Sequence, residues 1–294
     1  MKTLGGFVRF KEQSMRVIFA LSALTAILAV GLICLFLFVY GLPAIVQKIG
    51  VVDFLFGMDW APTNNPPAFG IFPMIIASIY ITVGAVIFGV PIGILTAVFM
   101  AKICPPRIYK VLKPAVNLLA GIPSVIYGFF GIVVLVPFVR QNFGGNGSSI
   151  LSAAMLLGIM ILPTVIGISE SSIRAVPDEL YEGALALGAS HERAVFSVLV
   201  PAAKSGIMAA VVLGVGRAIG ETMAVKMVAG NQALLRMPNE FLKGTRTLTA
   251  NVVIEMGYAE GLHREALIAT GLVLFVLVLL INMLFSLLMR RSEA

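Results

Sequence analysis

Residues 177–201 read PDELYEGALALGASHERAVFSVLVP. Pro177 is preset for the first position of a helix, and Asp178 and Glu179 suit the positive end of that helix's dipole. Leu180, Ala184 and Leu187 fall on one face of it. Gly188 permits a sharp break, and Ser190 is placed to cap a second short helix. The stretch therefore predicts helix, turn, helix. On periodicity alone, an amphipathic connector lying along a membrane reads the same way, so the flanking sequence has to decide.

The flanks are apolar. Of 294 residues, 59% are hydrophobic and 12% charged, with a mean hydropathy of +1.02. A soluble domain carries about 25% charged residues. Six blocks, near 16–41, 72–101, 114–139, 150–173, 205–229 and 265–289, are long enough to cross about 30 Å of hydrocarbon as helices. The segments that fall on one side of the bilayer carry thirteen Lys and Arg, those on the other side six. Basic loops stay in the cytoplasm, which places both termini there, as an even number of crossings requires. Residues 177–201 then lie on the cytoplasmic face between the fourth and fifth spans. Loop asymmetry accounts for the net charge of +7, and no nucleic-acid partner is expected.

The charge-free run from Val17 to Tyr40 exceeds the roughly 7–15 apolar residues of a cleavable signal core and is expected to stay as an anchor, after a cytoplasmic segment 1–15. Cys34 and Cys104 suggest no disulfide, His191 and His263 have no ligand-like spacing, and no metal site is expected. Two outer loops are substantial. In residues 42–71, Trp60 suits the headgroup level. Residues 230–264 are expected to dip back or to carry a short helix.

With the membrane context in hand, the cytoplasmic loop resembles that of bacterial and archaeal ABC importer permeases. Their pattern is E-A-A, three residues, G, nine residues, I-x-L-P. Here Glu182, Gly183 and Ala184 precede three residues and Gly188, and nine more lead to Val198, Leu199, Val200 and Pro201. The spacing matches throughout, with small or apolar swaps at Gly183, Val198 and Val200. The resemblance implies a coupling helix within residues 174–204 that seats in a groove of a separate ATPase. Glu182 would be its polar anchor, and Gly183, Ala184 and Gly188 the small residues that let backbones approach. No GxxxxGK[ST] occurs, so ATP and Mg would be used by that partner, with no catalytic residue and no cofactor in this chain.

The fifth block contains GRAIGET, residues 216–222, with Lys226 following. A charge at the centre of a span costs at least about 2.5–3.5 kcal/mol on insertion scales, so it normally faces a cavity or a partner. Lys226, near the outer end, can snorkel. Arg217 and Glu221 are one turn apart, a spacing that allows them to pair. That pair either holds helices together or lines a path, where Arg217 offers bidentate donors to an oxyanion and Glu221 orients it or competes for it. Thr222, Thr164 and Ser124 are hydroxyl candidates, although Ser124 after Pro123 suits a bond back to its own helix better. Met223 and Met227 read as packing.

LGVGRAIGETMAVKMVAGN (213–231), AGIPSVIYG (120–128) and FGIFPMI (69–75) resemble the fifth-span, third-span and second-span motifs of phosphate-importer permeases. GETMAV and the following GN favour the PstC type over its PstA-type partner. The resemblance implies an all-helical MetI-like fold forming a single permease domain over residues 1–294, in the cell (cytoplasmic) membrane. It also implies a heterodimer with a PstA-type permease, two ATPase subunits and an extracytoplasmic phosphate-binding protein. A permease for another oxyanion and the PstA-type subunit itself remain the alternatives. An intramembrane enzyme would need a nucleophile and base at membrane depth. The two histidines fall in loops, and no HExxH is present.

Overall fold

A computed structural model describes the backbone of residues 2–293, and the side chains of residues 11–284 and of Leu287. Of the expected cytoplasmic cations, the side chains of Lys2, Arg9, Arg290 and Arg291 lie outside that description. Among the described residues the chain is almost wholly helical, in the order α1 (Lys2–Pro43), α2 (Val51–Phe56), α3 (Phe72–Val98), α4 (Pro106–Gly121), α5 (Ser124–Phe130), α6 (Val136–Phe143), α7 (Ile150–Arg174), α8 (Asp178–Ala186), α9 (His191–Ala194), α10 (Val200–Ala202), α11 (Lys204–Gly220), α12 (Met223–Val228), α13 (Leu248–Glu255) and α14 (Gly261–Glu293). Short π turns extend α1 and α3 and join α5 to α6. A two-residue hairpin, β1 (Trp60–Ala61) against β2 (Ala68–Phe69), closes the first outer loop.

Five helical stretches are long and apolar enough to cross a membrane: Lys11–Ile49, Phe72–Ile103, Ser124–Phe143, Ile150–Arg174 and Gly261–Leu284. A sixth is a pair, His191–Ala202 and Lys204–Gly220, bent by 69°. The expected third block, 114–139, is corrected. Its first part belongs to α4, and the crossing starts only at Ser124, because Ile122 and Pro123 are extended and break the helix. The fifth block is also broken: α11 stops at Gly220 and α12 resumes at Met223.

The centre of the bundle is α7. Two-thirds (67%) of its most apolar window is buried, against 0% for the first span. An apolar helix with no buried side is one that meets lipid or another subunit. α1 touches the bundle chiefly along α14, where Gly41 lies against Ala269 and Leu272. Close packing around α7 is a matter of small residues, as is usual where no water drives helices together. A Cβ on Gly84 would lie 2.7 Å from Ala154, one on Gly89 2.6 Å from the Gly158 carbonyl, and one on Gly93 2.7 Å from Val165. From the other side, a Cβ on Gly214 of α11 would lie 3.1 Å from the same Val165. Leu156, Met160, Ile161 and Val165 fill the seam so formed.

The second outer loop carries a short helix, one of the two expectations for it: α13, which packs against α3. α13 buries Leu248, Ala250 and Asn251, and the Leu248 amide donates to Ser78 Oγ of α3 at 3.1 Å. Trp60 joins this layer: its indole donates to Glu255 at 2.8 Å. Glu255 also accepts from Arg246 at 2.6 Å and bonds His263 at 2.8 Å, so one buried carboxylate ties the two outer loops together.

Candidate functional site

Arg217 lies in the last turn of α11, half-buried. Its Nη1 donates to Thr164 Oγ1 of α7 at 3.2 Å. Pro163 precedes Thr164 inside α7, and Gly214, one turn before Arg217, is what lets α11 approach close enough for that bond. An ion pair with Glu221 is not formed. Among the described residues no carboxylate is within bridging distance of Arg217. The reason is local: the helix ends at Gly220, and Glu221 takes an extended backbone (φ −72°, ψ 126°). The two side chains therefore do not stack one turn apart. Glu221 Oε1 instead accepts from the Ala224 amide at 3.2 Å, satisfying one of the free N–H groups that open α12.

The remaining candidates gather loosely around the break. Thr222 Oγ1 bonds back to the Gly220 carbonyl at 3.2 Å, so its hydroxyl is occupied locally. Thr249, at the start of α13, donates to the Glu221 carbonyl at 3.3 Å. The second outer loop thus braces the break, a contact that the undifferentiated loop sequence did not signal. Ser124 opens α5 half-buried, and its hydroxyl has no bond among the described residues, so the bond back to its own helix is not made. One turn on, Gly128 lies against α12. A Cβ there would stand 2.5 Å from Met227 Sδ and 3.1 Å from Ala224 Cα. Met227 therefore packs, as expected, whereas Met223 is exposed.

In the cytoplasmic loop, Pro177 stands just outside α8 with an extended ψ of 134° rather than at the first helical position. Asp178 and Glu179 do occupy the first turn. Gly188 has φ +84°, a conformation that costs a side-chain-bearing residue about 1 kcal/mol or more. Ser190 Oγ caps α9 by accepting from the Arg193 amide at 3.3 Å. None of α8 is buried, and Leu187 is 91% exposed. A Cβ on Gly183 or Gly188 would meet nothing within 4 Å. Nothing packed inside this chain requires Gly183 to be small.

Sequence reasoning passed over one further group. Glu170 is a carboxylate at 1% exposure near the cytoplasmic end of α7. It accepts from Tyr109 Oη at 2.7 Å, Lys113 Nζ at 2.5 Å and Arg174 Nε at 2.8 Å. The signal was available: an acid in an apolar block with an arginine four residues on.

Apolar helices around a glycine-seamed centre, with an exposed helix–turn–helix between the fourth and fifth spans, define a multi-pass membrane permease of the MetI-like type. The chain belongs to the family described as binding-protein-dependent transport system inner membrane component, whose pattern matches residues 89–294. It is 40% identical over 279 residues to the probable ABC transporter permease protein YqgH of Bacillus subtilis, covering 94% of this chain and 88% of that one. It is 34% identical over 263 residues to the phosphate transport system permease protein PstC of Mesorhizobium japonicum, covering 82% of this chain and 79% of the other. Its fold is similar to that of the inward-facing methionine ABC transporter MetNI, with a TM-score of 0.62 at 21% identity over 76% of this chain and 95% of that one. A bacterial alginate ABC transporter in complex with a periplasmic protein gives 0.59 at 19% identity over 91% of this chain and 94% of the other. Proteins of this family are transport components, and this chain is one.

Proposed function

We propose that this chain is the PstC-type permease of an ATP-driven phosphate importer, acting over its whole length as one transmembrane domain. The observation that carries the reading is Arg217: a guanidinium near the break of a span, held among the described residues only by the neutral hydroxyl of Thr164 at 3.2 Å. A carboxylate partner would neutralise it. A threonine orients it and leaves most of its five donors for a planar pair of phosphate oxygens. Glu221, committed to the Ala224 amide at 3.2 Å, sits close enough in sequence to weaken anion binding without cancelling it, so that the anion can leave. Ser124, whose hydroxyl has no bond among the described residues, and Thr222, once released from the Gly220 carbonyl, serve as lesser hydroxyl donors. Relatives named as phosphate permeases support the choice of anion.

The exposed α8 fits a partner ATPase subunit. Gly183 has no neighbour of its own, and Leu180 and Leu187 face outward, as a helix held for another protein's groove would place them. Glu182, Gly183, Ala184 and Gly188 form that contact. A PstA-type permease completes the pore, two ATPase subunits bind and hydrolyse Mg–ATP, and an extracytoplasmic phosphate-binding protein delivers substrate. The test is uptake of radiolabelled phosphate into vesicles holding the reconstituted complex. Arg217→Gln is expected to abolish uptake while the complex still assembles. Full uptake in that variant would remove Arg217 from the path, and uptake of sulfate in preference to phosphate would reassign the substrate.

A further inference from the structure

At the cytoplasmic end of the bundle, one buried side chain joins three helical segments. Glu170 Oε1 accepts from Tyr109 of α4 at 2.7 Å and from Arg174, on its own helix, at 2.8 Å. Glu170 Oε2 accepts from Lys113 of α4 at 2.5 Å. Arg174 in turn donates Nη2 to the Met100 carbonyl of the π turn that closes α3, at 2.7 Å, and lies 4.5 Å from the centroid of the Tyr109 ring. Arg174 is also the last residue of α7, and α8 begins four residues later at Asp178. Asp178 is held by Lys102 of the same π turn at 2.9 Å.

The far side of α4 matters as much. Beyond Ile122 and Pro123 it becomes α5, and Tyr127 of α5 donates back across that elbow to the Leu119 carbonyl at 2.8 Å, which ties the two helices together across it. α5 rests on α12 through Gly128, and α12 is the half-span that begins just past Glu221. The contacts are therefore continuous from α8, through Glu170, to the break that carries Arg217. A carboxylate is suited to such a junction. It gathers several charge-assisted bonds whose directions are fixed, and in a buried setting it tolerates the loss of none of them cheaply. A purely apolar seam would slip instead.

We infer that Glu170 is the positioning residue through which displacement of α8 is delivered to the α4–α5 elbow. The inference rests on the reading of α8 as the element that meets a partner ATPase. The test uses the complete complex in vesicles, with Cys34 and Cys104 replaced and spin labels placed at the exposed Glu179 of α8 and Val125 of α5. Two quantities are read: ATP hydrolysed per phosphate imported, and the change in the Glu179 and Val125 label distances to the opposite permease when nucleotide is trapped with vanadate. In Glu170→Gln the ATP cost per phosphate should rise about fivefold or more. The Glu179 label should still move, and the Val125 label should not. An unchanged ratio with both labels moving overturns the inference. Should Glu170→Gln fail to assemble, Lys113→Met leaves the carboxylate with Tyr109 and Arg174, and is judged by the same two readings. If the unaltered complex moves its labels but carries no phosphate, the substrate assignment has failed by itself, and the Val125 label alone decides the role of Glu170.

Discussion

The seam between α3 and α7 gives the sharpest quantitative expectation. A Cβ on Gly89 would stand 2.6 Å from the Gly158 carbonyl oxygen and 2.7 and 2.8 Å from Ile161. Ordinary contact begins at about 3.4 Å, so the helices must separate by about 0.6–0.8 Å, and the obstructing oxygen belongs to a helix backbone that cannot rotate away. Overpacking of this kind costs about 1–3 kcal/mol. Gly167 provides the control, because it lies within α7 and a Cβ there would meet nothing within 4 Å. Replacing either glycine by alanine in a helix gains up to about 1 kcal/mol of propensity. That gain is common to both variants, so the difference between them isolates the clash. Gly89→Ala should be less stable than Gly167→Ala by about 1–3 kcal/mol, which is at least a few degrees at the roughly 2–4 °C per kcal/mol seen for chains of about 150–250 residues. Thermal unfolding of the permease in lipid nanodiscs measures it. If Gly89→Ala melts at or above Gly167→Ala, the small-residue account of the α3–α7 crossing is wrong.

Other expectations follow from single contacts. Gly183→Leu should not destabilise the permease itself, since a Cβ there would meet nothing within 4 Å, yet should abolish co-purification of the ATPase; intact co-purification would mean that α8 docks elsewhere. Gly188→Ala places a side chain at φ +84° and should cost about 1 kcal/mol locally, read as faster amide exchange across α8 and α9. The Tyr109 hydroxyl is held above its usual value of 10.0, first by its bond to the Glu170 carboxylate and then by burial. Its contribution to stability is therefore complete below pH 10 and is lost as pH rises through the raised value. Tyr109→Phe should be less stable at neutral pH and show a shallower fall as pH rises above 10 on thermal unfolding.

The sequence disclosed whatever depends on composition and on local backbone preference. Runs of apolar residues place the spans. Gly188 and Ser190 mark a turn and a cap because only certain residue types satisfy those positions, and both are found there. Errors arose where helix continuity was assumed. Apolar length alone made 114–139 and 205–229 single helices, whereas Ile122–Pro123 and Glu221–Thr222 break them. The first break had a visible cause in Pro123. The second had a weaker one in Gly220, a poor helix former at which α11 stops, and it is also held by tertiary contact, with Thr249 of the second outer loop bonded to the Glu221 carbonyl. Glu170 was overlooked for the opposite reason. Its meaning lies in Tyr109 and Lys113, some sixty residues upstream, and no periodicity joins them.

The break at Glu221 alters the electrostatic logic of the span. In a continuous helix, Arg217 and Glu221 would face each other at one-turn spacing and form a neutral pair, which is a way to bury two charges and not a way to attract a third. Breaking the helix between them separates the tasks. The carboxylate satisfies an amide that the break itself exposed, and the guanidinium is left with a hydroxyl partner and a surplus of donors. The same local distortion thus creates the unsatisfied amide, supplies the acid that caps it and releases the cation. It follows that restoring helix continuity should be worse for transport than neutralising Glu221. Glu221→Gln keeps an oxygen to accept from the Ala224 amide, costs one charge-assisted bond of about 1.5–3 kcal/mol at most, and should retain measurable phosphate uptake. Thr249→Val removes the brace on the Glu221 carbonyl. In the double variant Thr249→Val with Thr222→Ala, which also removes the hydroxyl bond to Gly220, the span is free to close into one helix and bring Glu221 back onto Arg217. Uptake in that double variant should fall well below that of Glu221→Gln, and replacing Glu221 by Gln in the same background should recover part of it. An uptake order opposite to this, or no recovery on removing the carboxylate, would mean that the break is not what keeps Arg217 available.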